Sequence, residues 1–313
     1  MIFMAAAGFI PTACINIEKE SASVLNLSAA TVSQTKVSGT VDEDESRLNC
    51  ITFYVFDEAG DLEASAIWSD ESGASCKVMN GTKTVYAVVN CSLSGIPASE
   101  EELLSKISYI FDNDTDNLVM SGCTVEEVDG DKNIRIQVRR LAGKVVLENI
   151  QLLLADDSRA GITINGICLT NVNSSISFDG EKAASPEYWI NKTGYQKSEA
   201  DRLTFESMGT FIPNGGSHNV WHTFYAYPNG TTADSHSTEN YCARYTRLVL
   251  DTDFGFYHLD IPGILGNNSY VFKSVTITSE GASSPESNDE KGRCEAILSI
   301  ETWEEGGSRI ERI

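Results

Sequence analysis

The stretch ITFYVF at residues 51–56 and the stretch TVYAVV at residues 84–89 decide the fold class. Both are rich in β-branched and aromatic residues, which favour strands. The first ends in DEAGD at residues 57–61, a turn with Gly60 at its tip. The sequence around them therefore predicts a β-rich block.

The same pattern continues toward the C-terminus. Apolar and polar residues alternate along Ile134–Val138, as they do in a half-buried strand. The only predicted helix begins after Ser99, with Glu102 three residues later as in a capping box. Further strands are predicted at Ile162–Leu169, Trp221–Tyr227, Thr246–Leu250, Phe256–Ile261 and Tyr270–Thr278. Many strands, few helices and loops rich in Gly, Ser and Asn predict an all-β fold of two antiparallel β-sandwiches, with a short helix in the first.

The first residues are typical of an export signal. An uncharged apolar run, MIFMAAAGFI, is followed by Pro11-Thr12-Ala13-Cys14. Small residues before a cysteine are the pattern that lipoprotein signal peptidases cut, and the new N-terminal cysteine then carries the lipid. Residues 1–13 are therefore predicted to be a signal peptide and Cys14 the lipidation site. The alternative is that this run is part of a buried strand.

Two segments near the chain ends also alternate in polarity. Near the N-terminus, Leu25, Leu27 and Ala29 share one face of a predicted strand. Near the C-terminus the corresponding positions are Ala296, Leu298 and Ile300, and Trp303 follows them. On the residues alone, the C-terminal strand is equally an ordinary closing strand of the second sandwich.

Charge and cysteine content exclude several function classes. The 45 acidic and 23 basic residues give a net charge of −22, which disfavours nucleic acid because phosphate neutralisation needs clustered Lys and Arg. With Cys14 lipidated, seven of the eight cysteines remain, and none forms a C-x-x-C pair. An odd number cannot pair completely within one chain. Buried free thiols are therefore favoured over a disulfide framework.

No motif predicts catalysis, a metal or a cofactor. The sequence has no G-x-S-x-G elbow, H-E-x-x-H pair or P-loop. Asp112–Asn117 has the spaced oxygens of a calcium loop, but it lacks the glycine at position six, and Cys123 replaces the final Glu. Three histidines, His218, His222 and His236, lie close enough in sequence to be an alternative zinc site, but no carboxylate stands at a defined spacing from them. We therefore expect a structural or binding protein, with no catalytic, metal or cofactor site.

Several segments, in order along the chain, resemble the fimbrillin superfamily, the type V pilins of anaerobic Gram-negative bacteria. Residues 44–47 with the strand at 51–56 look like the acidic turn and first strand of the major fimbrillin. Later segments look like the second strand, the start of the C-terminal domain and the Mfa-type core. These segments are Gly81–Asn90, Val138–Val145, Phe224–Asn229, Thr246–Val249, Tyr257–Pro262, Asn268–Tyr270, Val275–Thr278 and the strand before Trp303.

The resemblance implies two transthyretin-like β-sandwich domains, at residues 48–138 and 139–313, after a propeptide at residues 14–47. It also implies strand exchange. An Arg-specific protease removes the propeptide, including a strand at Leu25, Leu27 and Ala29 that caps a groove. The next subunit fills the groove with a C-terminal donor strand, here Ala296, Leu298, Ile300 and Trp303. The major fimbrillin carries its cleavage Arg upstream of the acidic turn, where this chain has Lys36; we favour Arg47 slightly over Lys36.

The same resemblance implies the partners and the location. The partners are identical or related pilin subunits, anchor and tip pilins, the outer membrane through the lipid before processing, and a host glycan or protein ligand. The location is the cell-surface fimbrium, with an outer-membrane lipoprotein as precursor. Two alternatives stay open: an anchor or accessory subunit that keeps its lipid, and a glycan-binding surface lipoprotein. In the latter, tryptophans stack on sugars: Trp68, Trp189, Trp221 and Trp303.

Overall fold

The computed structural model describes residues 22–31, 43–68, 73–155, 159–232, 242–287, 294–302 and 308–312. Within these ranges the chain is mostly β. Two short α-helices, α1 (Glu100–Ser105) and α2 (Asp201–Thr204), and three 3₁₀ turns accompany the strands. The strands are β1 (Ala22–Thr31), β2 (Ile51–Phe56), β3 (Leu62–Trp68), β4 (Ala74–Met79), β5 (Gly81–Val89), β6 (Ile107–Tyr109), β7 (Met120–Val128), β8 (Lys132–Arg140), β9 (Gly143–Leu147), β10 (Ile150–Leu152), β11 (Gly161–Thr170), β12 (Ser175–Ser177), β13 (Phe205–Pro213), β14 (Ser217–His218), β15 (His222–Ala226), β16 (Thr246–Thr252), β17 (Gly255–Ile261), β18 (Asn268–Ile277), β19 (Glu295–Thr302) and β20 (Ser308–Arg312).

The first unit is a sheet folded over on itself. Its strand order is β3-β2-β5-β7-β8-β1-β4. β7 and β8 pair only at one end, where Met120 lies opposite Arg140 and Ser121 lies opposite Arg139. Phe53 and Val85 from one half pack in the same core as Leu25 and Ile134 from the other half. This face-to-face packing makes the unit a β-sandwich.

The second unit is also a sandwich. One sheet has four strands in the order β13-β11-β16-β17. The other has the order β14-β10-β18-β19-β20, and β9 pairs with β18 while β15 pairs with β9. Ile164 and Leu250 of the smaller sheet share a core with Phe272 and Leu298 of the larger sheet. The fold class predicted from the sequence is confirmed.

A small sheet connects the two units. The strand β6 of the first unit pairs antiparallel with β12, which lies in the long polar stretch after residue 170. Behind this pair, Tyr227 is fully buried; its hydroxyl lies 2.6 Å from the Ser108 hydroxyl and accepts a hydrogen bond from Asn113 Nδ2 at 2.9 Å. Burial raises the pKa of Tyr227 well above its ordinary value, so the hydroxyl stays protonated.

Replacing Tyr227 by Phe tests how much this contact stabilises the joined units. The change removes one hydroxyl and leaves the buried Ser108 and Asn113 groups short of a partner. A buried polar group left unpaired costs about 1–3 kcal/mol. We expect the free energy of unfolding in urea to fall by that amount. A change below about 0.5 kcal/mol, the usual size for a surface substitution, would contradict this account.

Several local predictions match the structure. The strand predicted at residues 51–56 is β2, with the same bounds. The helix α1 begins after Ser99, whose Oγ accepts the amide of Glu102 at 3.2 Å. The Glu102 carboxylate accepts the amide of Ala98, one residue earlier than in the capping box that the sequence predicts.

The structure also differs from the prediction in its strand pairing. Most pairs are antiparallel, but β1 runs parallel to β8, and β18 runs parallel to both β9 and β10. A parallel pair requires a long connection between its strands, so short-range sequence patterns do not reveal it. One 3₁₀ turn (Pro186–Tyr188) falls in the stretch at residues 173–202 that reads as a loop, and the helix α2 begins at its end.

Candidate functional site

The N-terminal strand β1 completes the first sandwich from within. It lies between β8, to which it is parallel, and β4, to which it is antiparallel. Leu25 is fully buried and Leu27 is 2% exposed, while Ala29 packs against the same core in a half-buried position. The predicted inward face of this strand is therefore the face that the structure buries.

The space occupied by β1 is an apolar groove. The side chains that line it are those of β4 and β8 and are almost fully buried: Ala74, Val78, Ile134, Ile136 and Val138. Burying one leucine contributes about 1.5–3 kcal/mol. Removal of β1 would expose this apolar lining and leave the facing backbone edges of β4 and β8 unpaired, which is a template for another strand.

A second contact holds the N-terminal segment against the C-terminal unit. The carboxylate of Glu45 is 3% exposed and lies 2.6 Å from Lys144 Nζ. The Tyr225 hydroxyl donates to the same carboxylate. Arg140 Nε donates to the Glu45 carbonyl at 3.0 Å, and Arg140 Nη2 donates to Ser46 Oγ at 3.0 Å. We call Glu45 with these three partners the Glu45 latch.

The electrostatics of the Glu45 latch follow from its burial. Arg140 is 3% exposed, and its desolvation lowers the pKa of the guanidinium, an effect that the nearby Glu45 opposes. The ion pair between Glu45 and Lys144 is also buried. Removing one partner of such a pair strongly destabilises the fold, because the other charge stays buried and uncompensated. The latch therefore depends on the carboxylate of Glu45.

The candidate processing residue Arg47 lies next to the latch. Its side chain is 54% exposed, 3.9 Å from the carboxylate of Asp116. Its backbone is held: the Arg47 carbonyl accepts Asn90 Nδ2 at 2.8 Å, and Asn90 Oδ1 accepts the Asn49 amide at 2.8 Å. Asn90 has φ +58°, a left-handed conformation that asparagine tolerates better than most residues. The side chain is accessible while the bond after it is fixed.

The predicted donor strand is part of its own domain in this single chain. The strand β19 lies between β18 and β20. Leu298 is fully buried, Ala296 is 5% exposed, and Ile300 packs against the same core. This is the closing-strand arrangement that the residues alone leave open, with β20 added at the edge of the sheet. A donor role for these residues stays a prediction.

Three predicted site residues lie outside the described residues: Cys14, Lys36 and Trp303. The other tryptophans differ from one another. Trp68 packs against the first core, and Trp189 is 7% exposed with its Nε1 donating to the Ala184 carbonyl. Trp221 is 46% exposed. The structure thus gives Trp68 and Trp189 packing roles.

The cysteine side chains are spread over both units. Cys50 and Cys123 are exposed, and none of the cysteines at positions 50, 76, 91, 123 and 168 forms a disulfide. Burial raises the pKa of Cys168 to about 12 and that of Cys91 to about 11. These two thiols are therefore protonated at neutral pH and poor nucleophiles.

Two polar clusters remain. In the segment that resembles a calcium loop, Asn113 turns inward to Tyr227, so its amide is used by the core. In the second unit, His218 Nε2 lies 3.1 Å from His222 Nε2, and His222 Nδ1 lies 2.8 Å from Glu206 Oε2. Sequence reasoning missed Glu206, because it lies 16 residues before His222 and reaches it through β13. Among the described residues no group of three or more His, Cys, Asp and Glu side chains could hold a metal ion.

Solved structures of other proteins share the fold of this chain. A crystal structure of a candidate cell adhesion protein from Bacteroides eggerthii superposes with a TM-score of 0.60 at 17% identity, covering 90% of this chain and 96% of that chain. A candidate cell adhesion protein from Parabacteroides distasonis superposes with a TM-score of 0.60 at 12% identity, and the match covers 90% of this chain and 100% of that chain. A fimbrilin (FimA) from Porphyromonas gingivalis superposes with a TM-score of 0.58 at 12% identity, and the match covers 86% of this chain and 96% of that chain. At these identities the likeness shows a shared fold.

The family match is more specific. The family model described as major fimbrial subunit protein (FimA) matches residues 23–137, which contain β1 and most of the first sandwich. The resemblance to the fimbrillin superfamily is confirmed. No curated protein matches the chain by sequence. No helix among the described residues is long and apolar enough to cross a membrane.

Proposed function

We propose that this protein is a structural subunit of a surface fimbria. It is exported as a lipoprotein through Cys14, processed after Arg47 and polymerised by strand exchange. The observation that carries the proposal is β1: an N-terminal strand with Leu25 and Leu27 buried, inserted between two strands that come later in the chain. The family match over residues 23–137 supports the same role.

The proposed assembly step is β-strand addition. When β1 leaves, backbone hydrogen bonds along β4 and β8 and pockets for alternate side chains become available. A C-terminal strand of a second copy would pair with these edges and bury its apolar face in the groove. The proposed donor residues are Ala296, Leu298, Ile300 and Trp303, and the proposed cleavage site is Arg47, with Lys36 as the alternative.

The position of β19 favours one second candidate function. Because Leu298 and Ala296 pack in the core of their own domain, a subunit that never donates this strand is already complete at its C-terminus. Such a subunit would keep its lipid and anchor the fimbria. N-terminal sequencing of the protein from the cell surface separates the two candidates: Leu48 or Val37 as the first residue supports the shaft subunit, and an acylated Cys14 supports the anchor.

The donor role can be tested with two matched substitutions in β19. Deleting the whole strand is unsuitable, because it would remove Leu298 from the core. Ile300 lies on the face that packs against the core, and Ile297 is 39% exposed on the other face. We expect Ile300→Asp to reduce polymer ladders on unboiled gels at least about tenfold, because its charge would lie in the acceptor groove, where an unpaired charge is costly. We expect Ile297→Asp to have little effect.

Circular dichroism melting of both monomers controls for folding. A folded Ile300→Asp protein that polymerises like the parent would exclude this strand as the donor. Truncation after Gly306, which removes residues 307–313 and with them β20, would then test the edge strand in the same assay.

A further inference from the structure

An arrangement unrelated to the groove lies in the second sandwich, where two histidines meet around a short loop. His218 ends β14 and His222 begins β15, and three residues connect them. Their Nε2 atoms are 3.1 Å apart, and the ring centroids are 5.3 Å apart. Each Nε2 atom therefore faces the other, and in the neutral pair one imidazole donates its proton to the lone pair of the other.

Glu206 fixes one of the two rings. Its Oε2 lies 2.8 Å from His222 Nδ1, and His222 is only 2% exposed. A carboxylate on Nδ1 keeps the proton there and leaves the Nε2 lone pair available. This carboxylate–histidine arrangement is the usual support behind a histidine that binds a metal.

The second ring borders solvent. His218 is half-buried, while Val220 and Trp221 in the connecting loop are 52% and 46% exposed. The pair of rings therefore lies directly beneath an exposed loop. Two nitrogens bound to one tetrahedral metal at about 2.0–2.1 Å are about 3.3 Å apart, which is close to the observed separation. A tilt of the His218 ring would direct both lone pairs at one point.

We propose that His218 and His222 bind a divalent transition metal ion through their Nε2 atoms, with Glu206 orienting His222 and water completing the coordination. Imidazole ligands favour Zn²⁺, Cu²⁺ and Ni²⁺ over Mg²⁺ and Ca²⁺, which take oxygen ligands. Such an ion would join the end of β14 to the start of β15. The sequence places the two histidines close together, but it does not reveal Glu206, which reaches the site only through the fold.

Isothermal titration of the untagged full chain with Zn²⁺ alone tests the proposal. We expect one site, and we expect His218→Ala to weaken it at least about tenfold. Glu206→Gln should weaken it by about 10–100-fold, the usual effect of removing an orienting carboxylate. Mg²⁺ should not bind there. His236→Ala, the same change at a histidine outside the described residues, is the control and should leave the affinity unchanged.

His218 is the main test position because it is half-buried and its loss leaves the buried His222–Glu206 contact in place. Far-ultraviolet circular dichroism confirms that each variant is folded. Absence of Zn²⁺ binding by the parent chain would overturn the proposal. So would Zn²⁺ binding of undiminished affinity in His218→Ala, which would assign the ion to other groups such as the exposed thiols.

Discussion

A chain that begins at Leu48 should no longer be a stable monomer and should associate with other copies of itself. It lacks β1, so Leu25 and Leu27 no longer fill the first core. Their burial contributes about 3–6 kcal/mol together, at about 1.5–3 kcal/mol each. Typical total stabilities are only about 5–15 kcal/mol. We expect dimers and larger species in size-exclusion chromatography with light scattering, and we expect the parent chain to elute as a monomer.

A synthetic peptide of residues 22–31 provides the control for this experiment. It carries β1 and should occupy the groove, bind the shortened chain and suppress association. The same peptide with Leu25→Asp and Leu27→Asp should do neither, since it would place two charges in an apolar core. If the chain from Leu48 stays monomeric and melts at the temperature of the parent, β1 is dispensable and strand exchange at this groove is excluded.

The groove could be predicted only in part from the sequence. Alternation along Leu25, Leu27 and Ala29 indicates a strand with one buried face, because side chains in a strand point to opposite sides in turn. It does not indicate which strands receive that face. The pairing of Leu27 with Ile134 joins residues more than a hundred positions apart, and no local pattern encodes such a pair.

The strands that were missed share a physical cause. β13 and β3 alternate between more buried and exposed positions over much of their length, but their half-buried positions include small or polar residues such as Ala64, Ala66 and Thr210, so the sequence shows no clear apolar face. β12 is only three residues long and is stabilised by its partner β6. Strand propensity depends strongly on such neighbours, and the neighbours are absent from a local window.

The Glu45 latch was missed for a related reason. The acidic cluster at residues 42–45 reads as a solvated turn, since acidic residues are seldom buried without a partner. Its partners Arg140, Lys144 and Tyr225 lie between 95 and 180 residues later. Only the fold shows that Glu45 leaves solvent while the Arg47 side chain two residues later stays exposed.

Replacing Glu45 by Gln should make the bond after Arg47 much more sensitive to trypsin. A protease needs several residues around the cut in an extended form, whereas here residues 43–46 form a 3₁₀ turn held by the Glu45 latch. Cleavage therefore requires local opening, and its rate follows the population of the open form. Breaking one side of a buried ion pair costs about 3–5 kcal/mol. If only part of this lost free energy falls on residues 43–46, cleavage should still accelerate about tenfold or more. Mass spectrometry of the first fragment that begins at Leu48 measures the rate.

Two controls separate the Glu45 latch from a general loss of stability. Glu63→Gln breaks another buried ion pair, with Lys83 at 2.7 Å, and should leave the rate at Arg47 nearly unchanged. Asp44→Asn removes one charge from the same segment and should also have little effect. The double variant Glu45→Gln with Lys144→Met should be cleaved more slowly than Glu45→Gln alone, because the buried ammonium that lost its partner is gone as well. Equal rates in the parent and Glu45→Gln would mean that this carboxylate does not restrain the segment. If the effects of Glu45→Gln and Lys144→Met on the cleavage rate are additive in the double variant, the two charges act independently. Control of processing would then have to lie in the Asn90 contacts.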